Sequence, residues 1–168
     1  TMGSLHNGHI SLIKKAKKDK NKIIVSIFVN PKQFKNNKDY KSYPRNLRKD
    51  LNILKRQKVD FVFLPTVKDI YSHKTKNKIY LDKFSKNLCG KYRPGHFKGV
   101  INVVNRLVEI ICPKQIYLGK KDYQQLILIR KHFSKNNIKI KIIECNTHRD
   151  AFGLPESSRN KSLNYNQI

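Results

Sequence analysis

The chain is 168 residues long, 38% hydrophobic, and carries 37 Lys and Arg against 11 Asp and Glu, a formal net charge of +26. That length supports one domain with a buried core, and without an apolar run of ~18 residues or a basic-then-apolar leader, a cytoplasmic protein with no membrane partner is expected. Only eight basic residues are Arg, the Lys are scattered beside abundant Asn and Ile, and the aromatics sit inside apolar runs; AT-rich codons give that texture, so nucleic acid is not expected as a partner.

In chain order the elements alternate. Gly8 to Asp19 spaces Ile10, Ile13 and Ala16 as a helix with Lys on its other face. Ile23 to Val29 is a continuous apolar run closed by Asn30-Pro31, which suits a strand buried on both sides. Asn46 to Gln57 spaces Leu47, Leu51 and Leu54 as the next helix, after Pro44. Phe61 to Leu64 reads as a short strand ended by Pro65, and Lys78 to Leu81 as an accessory strand. Val100 to Cys112 is an apolar helix stopped by Pro113, Ile116 to Leu118 a strand, Tyr123 to Phe133 a helix, and Ile138 to Ile143 a last strand. This alternation predicts an α/β fold with a mostly parallel sheet. Cys89, Cys112 and Cys145 are far apart and fit no disulfide frame or zinc spacing, so reduced thiols are expected.

In such sheets ligands bind beyond the carboxyl ends of the strands. The unusual polar residues fall there: Asn30 to Gln33, Lys121 and Asp122, and Arg149 to Asn160, with His6 and His9 opening the first helix. A helix N-terminus is a prepared anion site. Two imidazoles on its first turn add donors, and Gly8 leaves room for a nucleotide. A basic surface would steer anionic substrates toward it.

With its flanks, TMGSLHNGH (1–9) resembles the phosphate-binding signature of the pantothenate synthetases, in the HxGH nucleotidyltransferase group related to class I aminoacyl-tRNA synthetases. The resemblance continues through VSIFVNPKQF (25–34), Tyr43-Pro44-Arg45, RPGHFKGV (93–100), KDYQQ (121–125) and SSRN (157–160), in the family's order and over essentially the whole chain. It implies a Rossmann-like sheet with helices on both faces, of the HUP/nucleotidyltransferase type. Residues 1–168 would form the N-terminal catalytic, ATP- and pantoate-binding domain, lacking the family's first strand and C-terminal lid domain; a homodimer is expected.

The implied reaction is a ligation of pantoate and β-alanine, driven by ATP and passing through a pantoyl adenylate, with Mg²⁺ as cofactor. By carry-over, His6, His9, Lys121 and Arg159 would be catalytic, His9 as the proton donor, which asks for imidazolium character near neutral pH. The ATP site would run from Met2, Gly3, Ser4 and Leu5 through His6, Asn7, Gly8 and His9. It would continue at Gly119, Lys120, Lys121 and Asp122, and close with His148, Glu156, Ser157, Ser158 and Arg159. Gln33 and Gln125 match the glutamines that bind pantoate, with Asn30 and Met2 lining the same pocket. Asp122 would hold the Mg²⁺, and Arg93 would lie near the nucleotide.

Three departures from the family pattern stand out. Lys120 replaces an acid beside the matching lysine, Pro155 and Glu156 enter the second phosphate clamp, and Phe152 replaces another acid. Glu156 aimed at a triphosphate would repel it. The alternative reading is therefore a degenerate or truncated nucleotide-binding member of the HxGH group without ligase activity.

Overall fold

The computed structural model describes residues 3–19, 22–34 and 36–164. Helix α1 (Asn7–Lys18) forms where the apolar spacing places it, burying Ile13 and Ala16. Lys15, Lys17 and Lys18 in its last turn complement the negative end of the helix dipole. Strand β1 (Ile24–Ser26) follows, then the short helix α2 (Asn37–Ser42), helix α3 (Leu47–Arg56) and strand β2 (Phe61–Phe63). The short α4 (Val67–Tyr71) and α5 (Cys89–Tyr92) lead to the long α6 (His96–Ile111). Strand β3 (Gln115–Gly119), helix α7 (Tyr123–Lys135) and strand β4 (Lys141–Cys145) complete the alternation.

Both strand pairs are parallel, as expected. They form two ladders rather than one sheet: β1 pairs with β2 from Ile24 opposite Phe61, and β3 with β4 from Gln115 opposite Lys141. Among the described residues no strand hydrogen-bonds the two ladders together. Helices join them instead, on both faces. On one face Ile13 of α1 and Leu54 of α3 pack with Val25, Ile27 and Val62, while Tyr117 of β3 donates to Asp19 at the end of α1. On the other, α6 spans the pair, with Val103 and Leu107 against Phe28 and Phe63, and Phe97 and Ile101 beside α7 over Ile116, Leu118 and Ile142. Successive strand residues point to opposite faces, so each strand serves both layers.

Several boundaries move for physical reasons. Lys78 to Leu81 is extended but not a strand: the Tyr80 amide donates to His132 Nδ1 at 3.2 Å instead of to a ladder, and Ile79 and Leu81 cover the α6–α7 core. Helix α6 starts at His96, four residues before the first valine, because Gly95 takes the left-handed conformation (φ 78°) that turns the chain into it. Strand β4 begins at Lys141, later than expected. In α3 the helix is right and its inner face is not: Leu47 and Leu51 are exposed while Asp50 and Leu54 are buried.

The turn after β1 is fastened to α6. Asn30 Nδ2 donates to the Gly99 carbonyl at 3.0 Å, and His96 Nδ1 lies 2.8 Å from the Gln33 carbonyl. Contact this close needs a glycine, since a Cβ at Gly99 would sit 2.2 Å from the Lys32 carbonyl oxygen. Gly99→Ala should therefore lower stability by about 1–3 kcal/mol, the range for overpacking a rigid contact. Thermal unfolding checks this; an unchanged melting temperature would show that the turn yields.

Candidate functional site

The loop that enters α1 is held from below by a carboxylate. Asp50 of α3, 1% exposed, accepts hydrogen bonds from the Ser4 and Leu5 amides, each at 2.7 Å. Ser4 has φ 60°, a strained conformation for a residue with a side chain, and this pair of bonds offsets it. Leu5 is buried against Ile13 and Leu54. Ser4 and Leu5, expected among the ATP contacts, have their amides engaged by Asp50 and act as the fulcrum of the turn. Met2 lies outside the described residues.

From that fulcrum the chain delivers His6 as the N-cap of α1 and His9 on its first turn, ring centroids 4.0 Å apart. The His6 amide donates to His9 Nδ1 over a long 3.4 Å. With Nδ1 accepting, the proton of a neutral His9 sits on Nε2, the outward nitrogen. Burial lowers the His9 pKa to about 3, with His6 and Lys121 adding like-charge repulsion. So placed, the His9 ring is held neutral at pH 7, and the imidazolium character expected of a proton donor would have to come from a nearby negative charge. Gly8 leaves the His6 ring its place: a Cβ there would meet the ring at 2.9 Å and the imidazole would have to shift.

Lys121 and Asp122 lie in the single 3₁₀ turn between β3 and α7. The Lys121 ammonium reaches the Glu156 carbonyl at 3.2 Å. Lys120, expected at the nucleotide, turns its side chain toward Glu144 of β4 at 3.9 Å, sharing that carboxylate with Arg130. Gly119 opens the turn with nothing within 4 Å of a would-be Cβ.

After β4 the chain doubles back, Arg149 pairing with Pro155 in an isolated antiparallel bridge, and returns to α1. Glu156 points into the site. Its carboxylate accepts from the Asn7 amide at 3.1 Å and from Asn7 Nδ2 at 2.9 Å, and lies 3.5 Å from His6 Nδ1 and 3.9 Å from His148 Nδ1. Ser157 caps the next turn through the Arg159 amide, and buried Ser158 Oγ meets Tyr43 Oη at 2.9 Å. Arg159 is turned away from the histidines, donating to Asp39 of α2 at 3.1 Å. Phe152 is 83% exposed at the hairpin tip.

A second group adjoins the first. Burial foremost, then Arg159, pulls the Arg93 guanidinium below its ordinary value, with Asp39 and Asp122 opposing. Burial also lowers His96, on which Asp122 and the two arginines act as well. Arg93, Arg159, Asp39 and Asp122 therefore share one field beside the Asn30–Gln33 turn. Gln33 and Asn30 are buried there, 3.5 Å apart through their amides, and Tyr71 donates to Asn30 Oδ1 at 2.8 Å. Gln125 is half-buried on the first turn of α7, whereas its neighbour Gln124 is used by the fold, donating to the Phe84 and Asn87 carbonyls.

The structure thus brings His6, Asn7, His9, Lys121, His148 and Glu156 together, and leaves Lys120 and Arg159 facing other partners. Among the described residues no group of three or more His, Cys, Asp or Glu side chains forms a metal cage. Asp122, expected as the metal ligand, is exposed. Asp50 was missed from sequence; its only signal is an acid at a position that an α3 rotated by one residue would bury. Asp50→Asn should cost about 1–3 kcal/mol, because an amide offers one acceptor oxygen to two buried N–H groups. Urea denaturation measures the loss, and no loss would mean that Asp50 does not carry the turn.

The family model described as pantoate-beta-alanine ligase matches residues 1–168. The chain is 51% identical over 164 residues to the pantothenate synthetase of Francisella philomiragia, covering 97% of this chain and 63% of that one. It is 46% identical over 160 residues to that of Pseudothermotoga lettingae, covering 95% and 57%. Among solved structures, the pantoate-beta-alanine ligase of Francisella tularensis, complexed with beta-gamma ATP and beta-alanine, superposes with TM-score 0.92 at 50% identity, over 98% of this chain and 63% of that one. The pantothenate synthetase of Thermus thermophilus does so with TM-score 0.92 at 36% identity, over 98% and 60%. The chain spans about six-tenths of the length of these relatives. A match along the whole chain, together with the His6–His9 turn and the parallel α/β frame, makes this chain a member of the pantoate–β-alanine ligase family.

Proposed function

We propose that the chain is the ATP- and pantoate-binding catalytic domain of an enzyme that joins pantoate to β-alanine. A pantoate carboxylate oxygen attacks the α-phosphorus of ATP, the bond to the bridging oxygen breaks, and pyrophosphate leaves a pantoyl adenylate. The β-alanine amine then attacks the acyl carbon, losing a proton as AMP departs with the C–O bond. Both steps are served by positioning and charge stabilisation. The observation that carries this reading is the convergence of His6, His9 and the Lys121 ammonium at the N-terminus of α1, at the carboxyl end of β3.

His6 and His9 would hold the triphosphate as hydrogen-bond donors. An anion beside His9 would also raise its pKa from the depressed value it has alone, making the imidazole a proton donor only once substrate is bound. Lys121 would take the charge that develops on the α-phosphate and pyrophosphate. Asp122 is the residue that would hold a Mg²⁺, which would supply positive charge for the departing phosphates. Gln33 and Gln125 would read the pantoate hydroxyls and carboxylate, since an amide both donates and accepts. Arg159 would have to leave Asp39 to reach a phosphate. A homodimer working in the cytoplasm belongs to the same reading.

The second reading is a nucleotide-binding relative without ligase activity, and Glu156 in the anion site favours it. Pantoate-dependent exchange of labelled pyrophosphate into ATP, with Mg²⁺, separates the two. Exchange that requires pantoate, and falls at least ~100-fold in His9→Ala, is the expected result for a lost acid catalyst. ATP binding by a folded chain with no exchange would overturn the ligase reading.

A further inference from the structure

Glu156 holds the place an anionic substrate would take. Its carboxylate accepts from the Asn7 amide and side chain at the N-terminus of α1, close to His6 and His148, while its carbonyl accepts from Lys121. The side chain is only 17% exposed. In a chain with 37 basic and 11 acidic residues, a half-buried carboxylate set among the groups that would hold phosphates is not a generic surface charge. The backbone on either side is fixed: the Glu156 amide donates to the His148 carbonyl at 3.0 Å, and Asn160 Nδ2 to the Pro155 carbonyl at 3.1 Å. Proline also limits the rotation of the residue's approach. The side chain is therefore the part free to turn out.

We propose that Glu156 is a tethered competitor for the polyphosphate site, its carboxylate occupying the anion-binding end of α1 until a triphosphate displaces it. The proposal rests on the reading of that helix end as the ATP phosphate site. One residue then engages two parts of the machinery, the α1 N-terminus through its carboxylate and Lys121 through its carbonyl. Affinity for ATP is set below what the site would otherwise give.

The alternative is that Glu156 merely caps a helix, in which case its removal weakens folding and leaves anion binding alone. Calorimetric titration of inorganic tripolyphosphate into the wild-type chain, Glu156→Gln and Glu156→Ala distinguishes these. Asp60→Asn is the control for net charge, since Asp60 precedes β2 at the opposite strand end and pairs with Lys22. Both Glu156 variants should bind about fivefold more tightly, the factor for one anion at a helix N-terminus, with Asp60→Asn unchanged. Equal or weaker binding by two folded variants, or an equal gain in Asp60→Asn, would overturn the proposal. Pyrophosphate exchange on Glu156→Gln keeps the two readings apart. Tighter tripolyphosphate binding without pantoate-dependent exchange supports the competitor and rejects the ligase; exchange with unaltered tripolyphosphate affinity does the reverse.

Discussion

The bond pair from the Asp50 carboxylate to the Ser4 and Leu5 amides is the constraint on which the site depends. It buries a charge, which is tolerable only because both oxygens are hydrogen-bonded. In return it fixes a non-glycine residue at positive φ and sets the direction in which α1 departs. The histidines, the glycine between them and the helix dipole all take their orientation from that turn. The hydrophobic contact of Leu5 with Ile13 and Leu54 works with it, so the polar and apolar fixings coincide at one point.

The two strand ladders give the site its other walls. Each is short and has no partner ladder among the described residues, so the layer is held by α1 on one face and α6 on the other. The carboxyl end of β1 is clamped to α6 through Asn30, Gln33, His96 and Gly99. That of β3 runs into the Lys121 turn, and that of β4 into the hairpin carrying Glu156. Three polar segments distant in sequence thereby meet at one rim. The site's electrostatics are unusual for so basic a chain: a His9 held neutral by burial, a Lys121 bound to a carbonyl and a Glu156 among donors meet at the helix end.

What was legible in the sequence was what local spacing encodes. The glycine between two histidines at a helix start, the strand-to-turn position of Lys121, and helices α1 and α7 appear where expected. What was not legible depends on tertiary partners. Leu47 and Leu51 suggested one inner face for α3, whereas Asp50 turns the helix so that an acid is buried. Ile79 and Leu81 alternate like a strand, yet the Tyr80 amide is satisfied by His132 and needs no ladder. Glu156 stood out as a departure from the family pattern, but its direction follows from the Arg149–Pro155 bridge, which spacing alone does not specify. The same holds for Lys120, drawn aside by Glu144.

The most direct test of the site is the ionisation of His9, followed by NMR of the imidazole as pH is lowered, with and without ATP. Burial and the neighbouring positive groups predict a ring that stays neutral far below the ordinary value of 6.5 in the free chain. ATP should move its titration upward and shift the amides of Asn7, Gly8 and His9 together. A His9 that titrates near 6.5 and ignores ATP would contradict the account, leaving the N-terminus of α1 as a structural turn and not a phosphate site.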